Sequence, residues 1–117
     1  MCRFLIILSV LLFGTSCLYA QDDSNKKKAD GYAREAEYYQ KKAQSCRREA
    51  EYYLKQASNY ADDAAYYLKR GDYGRAKTQQ RYAKDASDKA ITQMRYASEA
   101  DDKAAMYLQW AADALRR

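Results

Sequence analysis

Residues able to perform covalent or acid–base chemistry are scarce in this chain, which contains three cysteines and no histidine. Without an imidazole there is no Ser–His or Cys–His pair and no histidine-ligated metal. Cys2 and Cys17 fall in an apolar N-terminal segment, which leaves Cys46 as the single thiol of the remaining chain. One thiol cannot build an internal disulfide framework. We expect Cys46 to be a small buried residue. The more specific alternative is that it forms an intermolecular disulfide in an oxidising compartment.

Carboxylates are the other group that could catalyse a reaction or bind a metal. They include three adjacent pairs: Asp22/Asp23, Asp62/Asp63 and Asp101/Asp102. Neighbours on a helix point about 100° apart, so such pairs do not converge on a substrate or on calcium. The chain also lacks a glycine-rich phosphate loop and a Cys-x-x-Cys pair. The sequence predicts no enzyme activity, no metal and no cofactor.

The tripeptide Arg70-Gly71-Asp72 matches an integrin-binding motif, but the ends of two helices explain it better. Gly71 supplies a left-handed position after a helix, and Asp72 can cap the N-terminus of the next one. We therefore place a turn at residues 70–74. A connection this short makes the flanking helices antiparallel neighbours.

The first twenty residues are typical of an export signal. Arg3 precedes an apolar run at 4–13, which is shorter than the roughly 20 residues that span a bilayer. We predict a cleaved signal peptide at 1–20 followed by a flexible linker at 21–28. An uncleaved anchor is the alternative, and it would contact the membrane only through this segment.

Cys17 raises a second interpretation of the same segment. The stretch at 14–17 resembles a bacterial lipoprotein signal that ends at residue 16 and leaves a lipidated cysteine. Gly14 departs from that pattern, because a branched aliphatic residue is usual at its position. Cys17 is thus a lipidation candidate, and simple secretion is the competing prediction.

The rest of the chain repeats in units of fourteen residues, or two heptads. The segments 34–47 and 48–61 begin with Arg-Glu-Ala-Glu-Tyr-Tyr, and the units at 70–83 and 84–97 both end in Arg-Tyr-Ala. A period of 3.5 residues is that of a left-handed supercoil. We predict an all-α fold at 29–117: an antiparallel two-helix hairpin with helices over roughly 29–70 and 72–115.

Alanine repeats every seventh residue in both halves and lets two helix backbones approach closely. The predicted helix–helix seam consists of Ala36, Ala43, Ala50, Ala57, Ala64, Ala76, Ala83, Ala90, Ala97, Ala104 and Ala111.

Aromatic side chains flank this seam and are the predicted interface residues: Tyr39, Tyr53, Tyr60, Tyr67, Tyr82, Tyr96 and Trp110. Doubled tyrosines such as Tyr38/Tyr39 widen the apolar stripe beyond what one partner helix covers. A second copy forming a four-helix bundle, or an envelope protein, would cover it. A solvated tyrosine stripe on a monomer is the plain alternative.

The formal net charge of +5 does not form a stripe suited to nucleic acid. Arg34 and Arg48 are directly followed by Glu35 and Glu49, an interleaving typical of a solvated helix face. We predict no nucleic-acid partner, and only a weak attraction of Lys26–Lys28 to anionic lipid or polymer.

Two resemblances bear on this pattern. The run Gly71-Asp72-Tyr73-x-x-Ala76, with Tyr67 before it and Ala83 after it, resembles the core of one tetratricopeptide repeat, although Gln80 stands where that repeat has an aromatic residue. The whole arrangement is similar to small bacterial envelope proteins of helical-hairpin type, often lipoproteins. That resemblance implies a structural or protein-interaction role in the periplasm or outer envelope. A soluble periplasmic or secreted binder, chaperone-like or contacting a glycan through its tyrosines, is the alternative.

Overall fold

The chain folds into two antiparallel α-helices in the computed structural model, which describes residues 23–117 including their side chains. Helix α1 is Cys2–Lys69 and helix α2 is Tyr73–Arg116. The predicted all-α two-helix hairpin is thereby confirmed. The predicted signal segment and the lipidation candidate Cys17 lie outside the described residues.

Helix α1 begins earlier than the predicted start at residue 29. Residues 23–28, which the sequence analysis assigned to a flexible linker, are helical. Asn25 and Lys28 line a cavity together with Trp110 of α2, so this segment has tertiary neighbours on the second helix. No proline interrupts the chain, and the helix therefore continues through it.

The turn between the helices is stabilised by local hydrogen bonds. Gly71 has a φ of 76°, a left-handed conformation that a side chain disfavours. The Asp72 amide donates to the Tyr67 carbonyl at 2.9 Å and the Gly71 amide to the Leu68 carbonyl at 3.1 Å. This pair of bonds is the Schellman ending of a helix.

The start of α2 is capped by the neighbouring residue. The Arg75 amide donates to Asp72 Oδ1 at 3.2 Å, which satisfies one of the free N–H groups of the first turn. The Arg75 guanidinium also lies 3.5 Å from Asp72 Oδ2. One helix therefore ends and the next begins within a few residues, as an antiparallel connection requires.

The described chain divides into two compact units. Unit one combines Met1–Glu37 with Ala104–Arg117, and unit two is Tyr38–Lys103. In both units the only buried hydrophobic residues among those described are alanines. Within residues 23–117, no stretch of either helix is long and apolar enough to span a membrane.

Candidate interaction surfaces

The predicted seam residues lie mostly in the space between the helices. Nine of the eleven are buried, and Ala43 has no exposed surface. Ala83 and Ala111 are only half-buried. The nine buried residues are Ala36, Ala43, Ala50, Ala57, Ala64, Ala76, Ala90, Ala97 and Ala104.

A second alanine series on α2 is buried and is not part of the predicted seam. Ala86, Ala100 and Ala114 are 3–7% exposed and follow Ala83, Ala97 and Ala111 by three residues. That spacing is the other core position of a heptad. The sequence does contain this series as an alanine every fourteen residues. The predicted seam included only one position of each heptad on α2 and therefore missed it.

Four of the predicted interface tyrosines are half-buried inside unit two, against side chains of α2. The Lys103 ammonium lies 5.3 Å from the Tyr39 ring centre, and the Lys89 ammonium lies 5.7 Å from that of Tyr53. Such cation–π contacts contribute about 0.5–1 kcal/mol each when exposed. These tyrosines therefore already have partners within the hairpin.

The other two tyrosines of this series have different partners. The Tyr60 and Tyr82 rings are 5.5 Å apart, and the Arg75 guanidinium lies 5.8 Å from the Tyr67 ring. Along unit two the four half-buried α1 tyrosines thus meet a ring or a cation of α2.

Unit one repeats this arrangement with three rings. Tyr32 lies 5.7 Å from Trp110 and 6.3 Å from Tyr107, and the last two rings are 5.3 Å apart. Their edge-to-face and tilted geometries are those that aromatic pairs prefer. Tyr107 was not among the predicted interface residues, and it lies halfway between Ala100 and Ala114 of the second α2 series.

The remaining predicted aromatics are exposed. Tyr82, Tyr96 and Trp110 keep 42–47% of their surface in solvent. In unit two the first tyrosine of each pair is also exposed and meets its neighbour at 5.1–5.5 Å between ring centres. These exposed tyrosines are Tyr38, Tyr52 and Tyr66.

A separate group of exposed side chains in unit two is purely aliphatic. Leu54, Leu68, Ile91 and Met94 are 43–64% exposed. We call these four residues the aliphatic edge. None carries a group that forms strong hydrogen bonds to water, so each gains free energy from being covered. Complete burial of such a side chain contributes about 1.5–3 kcal/mol, and roughly half of that remains to be gained here.

An ion pair locates this edge on the hairpin. Arg47 on α1 donates to Asp101 on α2, joining the two helices on one side. Leu54 follows Arg47 by seven residues and Met94 precedes Asp101 by seven. Because positions seven apart share a helix face, Leu54 and Met94 lie on that same side of unit two.

Cys46 occupies the position in the α1 series where the others have tyrosine. It is a free, half-buried thiol that packs with Tyr39 against the alanine cluster Ala43, Ala97 and Ala100. Among residues 23–117, no group of three or more cysteine and acidic residues is placed to bind a metal.

The described surface of unit two therefore carries two groups of exposed side chains with unlike chemistry, the aliphatic edge and the tyrosines. No protein-family model matches the chain, and neither a curated protein nor a solved structure shows significant similarity to it.

Proposed function

We propose that this protein is an exported, non-enzymatic helical hairpin that acts as a structural and protein-interaction module of the cell envelope. We further propose that it pairs with a second copy through the aliphatic edge, which gives a four-helix bundle. Export is inferred from the composition of residues 1–20, and pairing from the surface of unit two.

One observation carries the interaction role. In residues 23–117 every buried hydrophobic residue is alanine, while fourteen large hydrophobic side chains are exposed. Alanine removes little apolar area from water, so a seam of alanines gives two helices a small hydrophobic stabilisation. Long helices in proteins are stabilised mainly by tertiary packing of an apolar face.

The aliphatic edge is a better pairing surface than the tyrosines, because the tyrosines already have polar or aromatic partners. The half-buried tyrosines already contact lysine, arginine or another ring within the chain. The exposed tyrosines can hydrogen-bond to water through their hydroxyl groups. Leucine, isoleucine and methionine cannot, so this edge gains most from a partner.

Size-exclusion chromatography with light scattering tests the pairing. The protein is expected to elute with about twice the mass of one chain, since the edge remains exposed in a single hairpin. Replacing Leu54 and Met94 together by glutamine keeps good helix formers and removes apolar surface. We expect this double variant to be monomeric.

The matched control is Tyr73→Gln, because Tyr73 lies at the turn and is 71% exposed. It should associate like the unchanged protein. A fully helical monomer at every concentration would contradict the proposed pairing.

Export and anchoring need a separate measurement. Metabolic labelling with a fatty acid, using Cys17→Ala as the control, distinguishes a lipid-anchored protein from a secreted one. Label that depends on Cys17 shows anchoring, while a processed, unlabelled protein outside the cytoplasm shows simple secretion. A protein retained in the cytoplasm would refute the envelope role.

A further inference from the structure

Three cavities of the described chain are lined on α2 by the same residue classes, spaced fourteen residues apart in sequence. The Trp110 notch, of about 400 Å³, lies in unit one, and the Tyr96 and Tyr82 notches, of about 370 and 190 Å³, lie in unit two. We name each notch after the aromatic residue of α2 that lines it.

On α2 every notch is lined by an aromatic residue, an acid three positions later, an alanine four later and a base seven later. In the Tyr96 notch these are Tyr96, Glu99, Ala100 and Lys103. The equivalent residues of the other notches are Tyr82, Asp85, Ala86 and Lys89, and Trp110, Asp113, Ala114 and Arg117.

Helix α1 contributes residues with the same period. Lys28 and Tyr32 line the Trp110 notch, and Gln56 and Tyr60 line the Tyr82 notch. In the Tyr96 notch the equivalent residues are Lys42 and Cys46, with Tyr39 beside them. All three notches are therefore built by the same repeat of both helices.

Two of the positions between the lining residues do not preserve their chemistry, although the position directly after the aromatic residue is alanine in all three repeats. The residue two after the aromatic is Lys84, Ser98 or Ala112, and the residue five after it is Ser87, Asp101 or Leu115. Helix packing explains the repeated alanines. It does not require a ring, an acid and a base at every repeat.

Stabilisation of the helix by acid–base pairs four residues apart is the simplest alternative explanation. The described side chains do not form such pairs, since no ion pair joins the acid and the base of any one notch. Lys103 and Lys89 instead point their ammonium groups at the Tyr39 and Tyr53 rings. The carboxylates of Glu99 and Asp85 thus remain available as acceptors.

We propose that the three notches are repeat-related subsites for the sugar rings of an acidic polysaccharide. This inference concerns the notches and does not depend on pairing through the aliphatic edge. A sugar ring has an apolar C–H face that can lie on an aromatic ring. Its hydroxyl groups can donate to the carboxylate and accept from the ammonium or guanidinium of the same notch.

The charge of two of the notches favours a sugar that carries a carboxylate, while Lys89 and Asp85 balance in the Tyr82 notch. Lys42 and Lys103 outnumber Glu99 in the Tyr96 notch. Lys28 and Arg117 likewise outnumber Asp113 in the Trp110 notch. A ligand carboxylate can pair with the excess cation, and the acid in every notch disfavours a densely charged phosphate backbone.

The spacing within unit two suits a polymer. Tyr82 and Tyr96 are fourteen residues apart on one helix, or about 21 Å at 1.5 Å per residue. One chain of several sugars can reach both notches. Weak binding at each then gives a higher overall affinity through the effective concentration of the tethered neighbour.

Trp110 is the single tryptophan of the chain, so its fluorescence reports on one notch. Titration with polygalacturonate is expected to change this emission in a saturable way, while neutral dextran and single-stranded DNA are expected to change it far less. Replacing Lys28 by Ala should remove most of the change, because the notch then loses its excess positive charge. Lys27→Ala, on the same helix but lining none of the three notches, should keep it.

Calorimetry tests the notches of unit two together. The Tyr82→Ala/Tyr96→Ala variant is expected to bind polygalacturonate about tenfold more weakly, because two tethered subsites are lost. Tyr66→Ala removes an equally exposed tyrosine outside the notches and should leave the affinity unchanged. Helicity measured on all variants identifies any loss that arises from unfolding.

Four binding results would overturn the proposal. They are no binding of polygalacturonate, equal binding of dextran, equal or stronger binding of DNA, and a notch variant that binds normally. If the notch variant instead loses its dimer in light scattering, a second copy occupies the notches and the proposal is wrong. The Leu54/Met94 glutamine variant should bind the polysaccharide as a monomer, which separates this inference from the proposed pairing.

Discussion

At the scale of single residues, the small size of alanine decides how closely the helices pack. Ala43 is fully buried and lies in a cluster with Ala97 and Ala100 of α2. Protein interiors are close-packed, so a larger side chain at such a position displaces its neighbours. The space between the two helices at this position therefore admits alanine but not a larger side chain.

Replacing Ala43 by Leu is expected to destabilise the protein by about 1–3 kcal/mol, since the added carbons overpack the seam. Ala65→Leu is the matched control, because Ala65 lies on the same helix and is exposed. It should shift stability by at most about 0.5 kcal/mol. Urea unfolding followed by circular dichroism measures both, and equal effects would contradict a close-packed seam.

The ion pair between Arg47 and Asp101 is expected to contribute little to stability. Their side chains are 46% and 43% exposed, and exposed pairs typically contribute about 0.2–1 kcal/mol. A double-mutant cycle with Arg47→Met and Asp101→Asn should give a coupling energy in that range, which falls as salt is added. A coupling of several kcal/mol, or one that salt does not change, would refute this expectation.

At the scale of elements, the ends of the helices depend on local chemistry. The left-handed Gly71 ends α1, and the Asp72 carboxylate accepts from the first turn of α2. These interactions join residues close in sequence, which is why the turn was predictable. The burial of α2 residues depends instead on α1, whose tyrosines lie over the second alanine series in the notches of unit two.

Gly71→Ala is expected to destabilise the hairpin by about 1–2 kcal/mol, because its φ of 76° is strained for any residue with a Cβ. Gly74→Ala is the control. A Cβ there would meet only the Asp72 Oδ1 atom, at 4.0 Å. Since Gly74 lies inside α2, alanine should be neutral or stabilise by up to about 1 kcal/mol. Thermal unfolding compares the two, and the reverse order would show that the turn is not formed in this way.

At the scale of the whole molecule, the described chain buries only small hydrophobic side chains and exposes many large ones. The buried hydrophobic residues among those described are all alanine, whereas leucine, isoleucine, methionine and tyrosine are exposed. Natural proteins rarely expose such side chains in groups without a binding role. The aliphatic edge and the aromatic notches suit different ligands, and we propose a second copy for the first and a polysaccharide for the second.

If pairing stabilises the fold, the melting temperature must depend on protein concentration, because mass action favours the associated native state. We expect the midpoint to rise as the concentration is increased over a hundredfold range. The variant with glutamine at Leu54 and Met94 should melt at a lower temperature that is independent of concentration. A concentration-independent midpoint for the unchanged protein would refute pairing as a source of stability.

The sequence by itself determined the helical hairpin, because heptad periodicity and helix-ending residues are local properties of the chain. Alanine every seventh residue indicated the seam, and Gly71-Asp72 indicated the turn. Only the tertiary structure decided which side of α2 is covered: Ala86, Ala100 and Ala114 are buried, while Ala83 and Ala111 are half-buried. It also decided which tyrosines are covered. Lys89 and Lys103 contact tyrosine rings only because the fold places Tyr53 and Tyr39 of α1 beside them. The physical reason is that periodicity defines a stripe of residues on a single helix. Burial, contacts and notches depend on how two helices are rotated about their axes and on their register along each other.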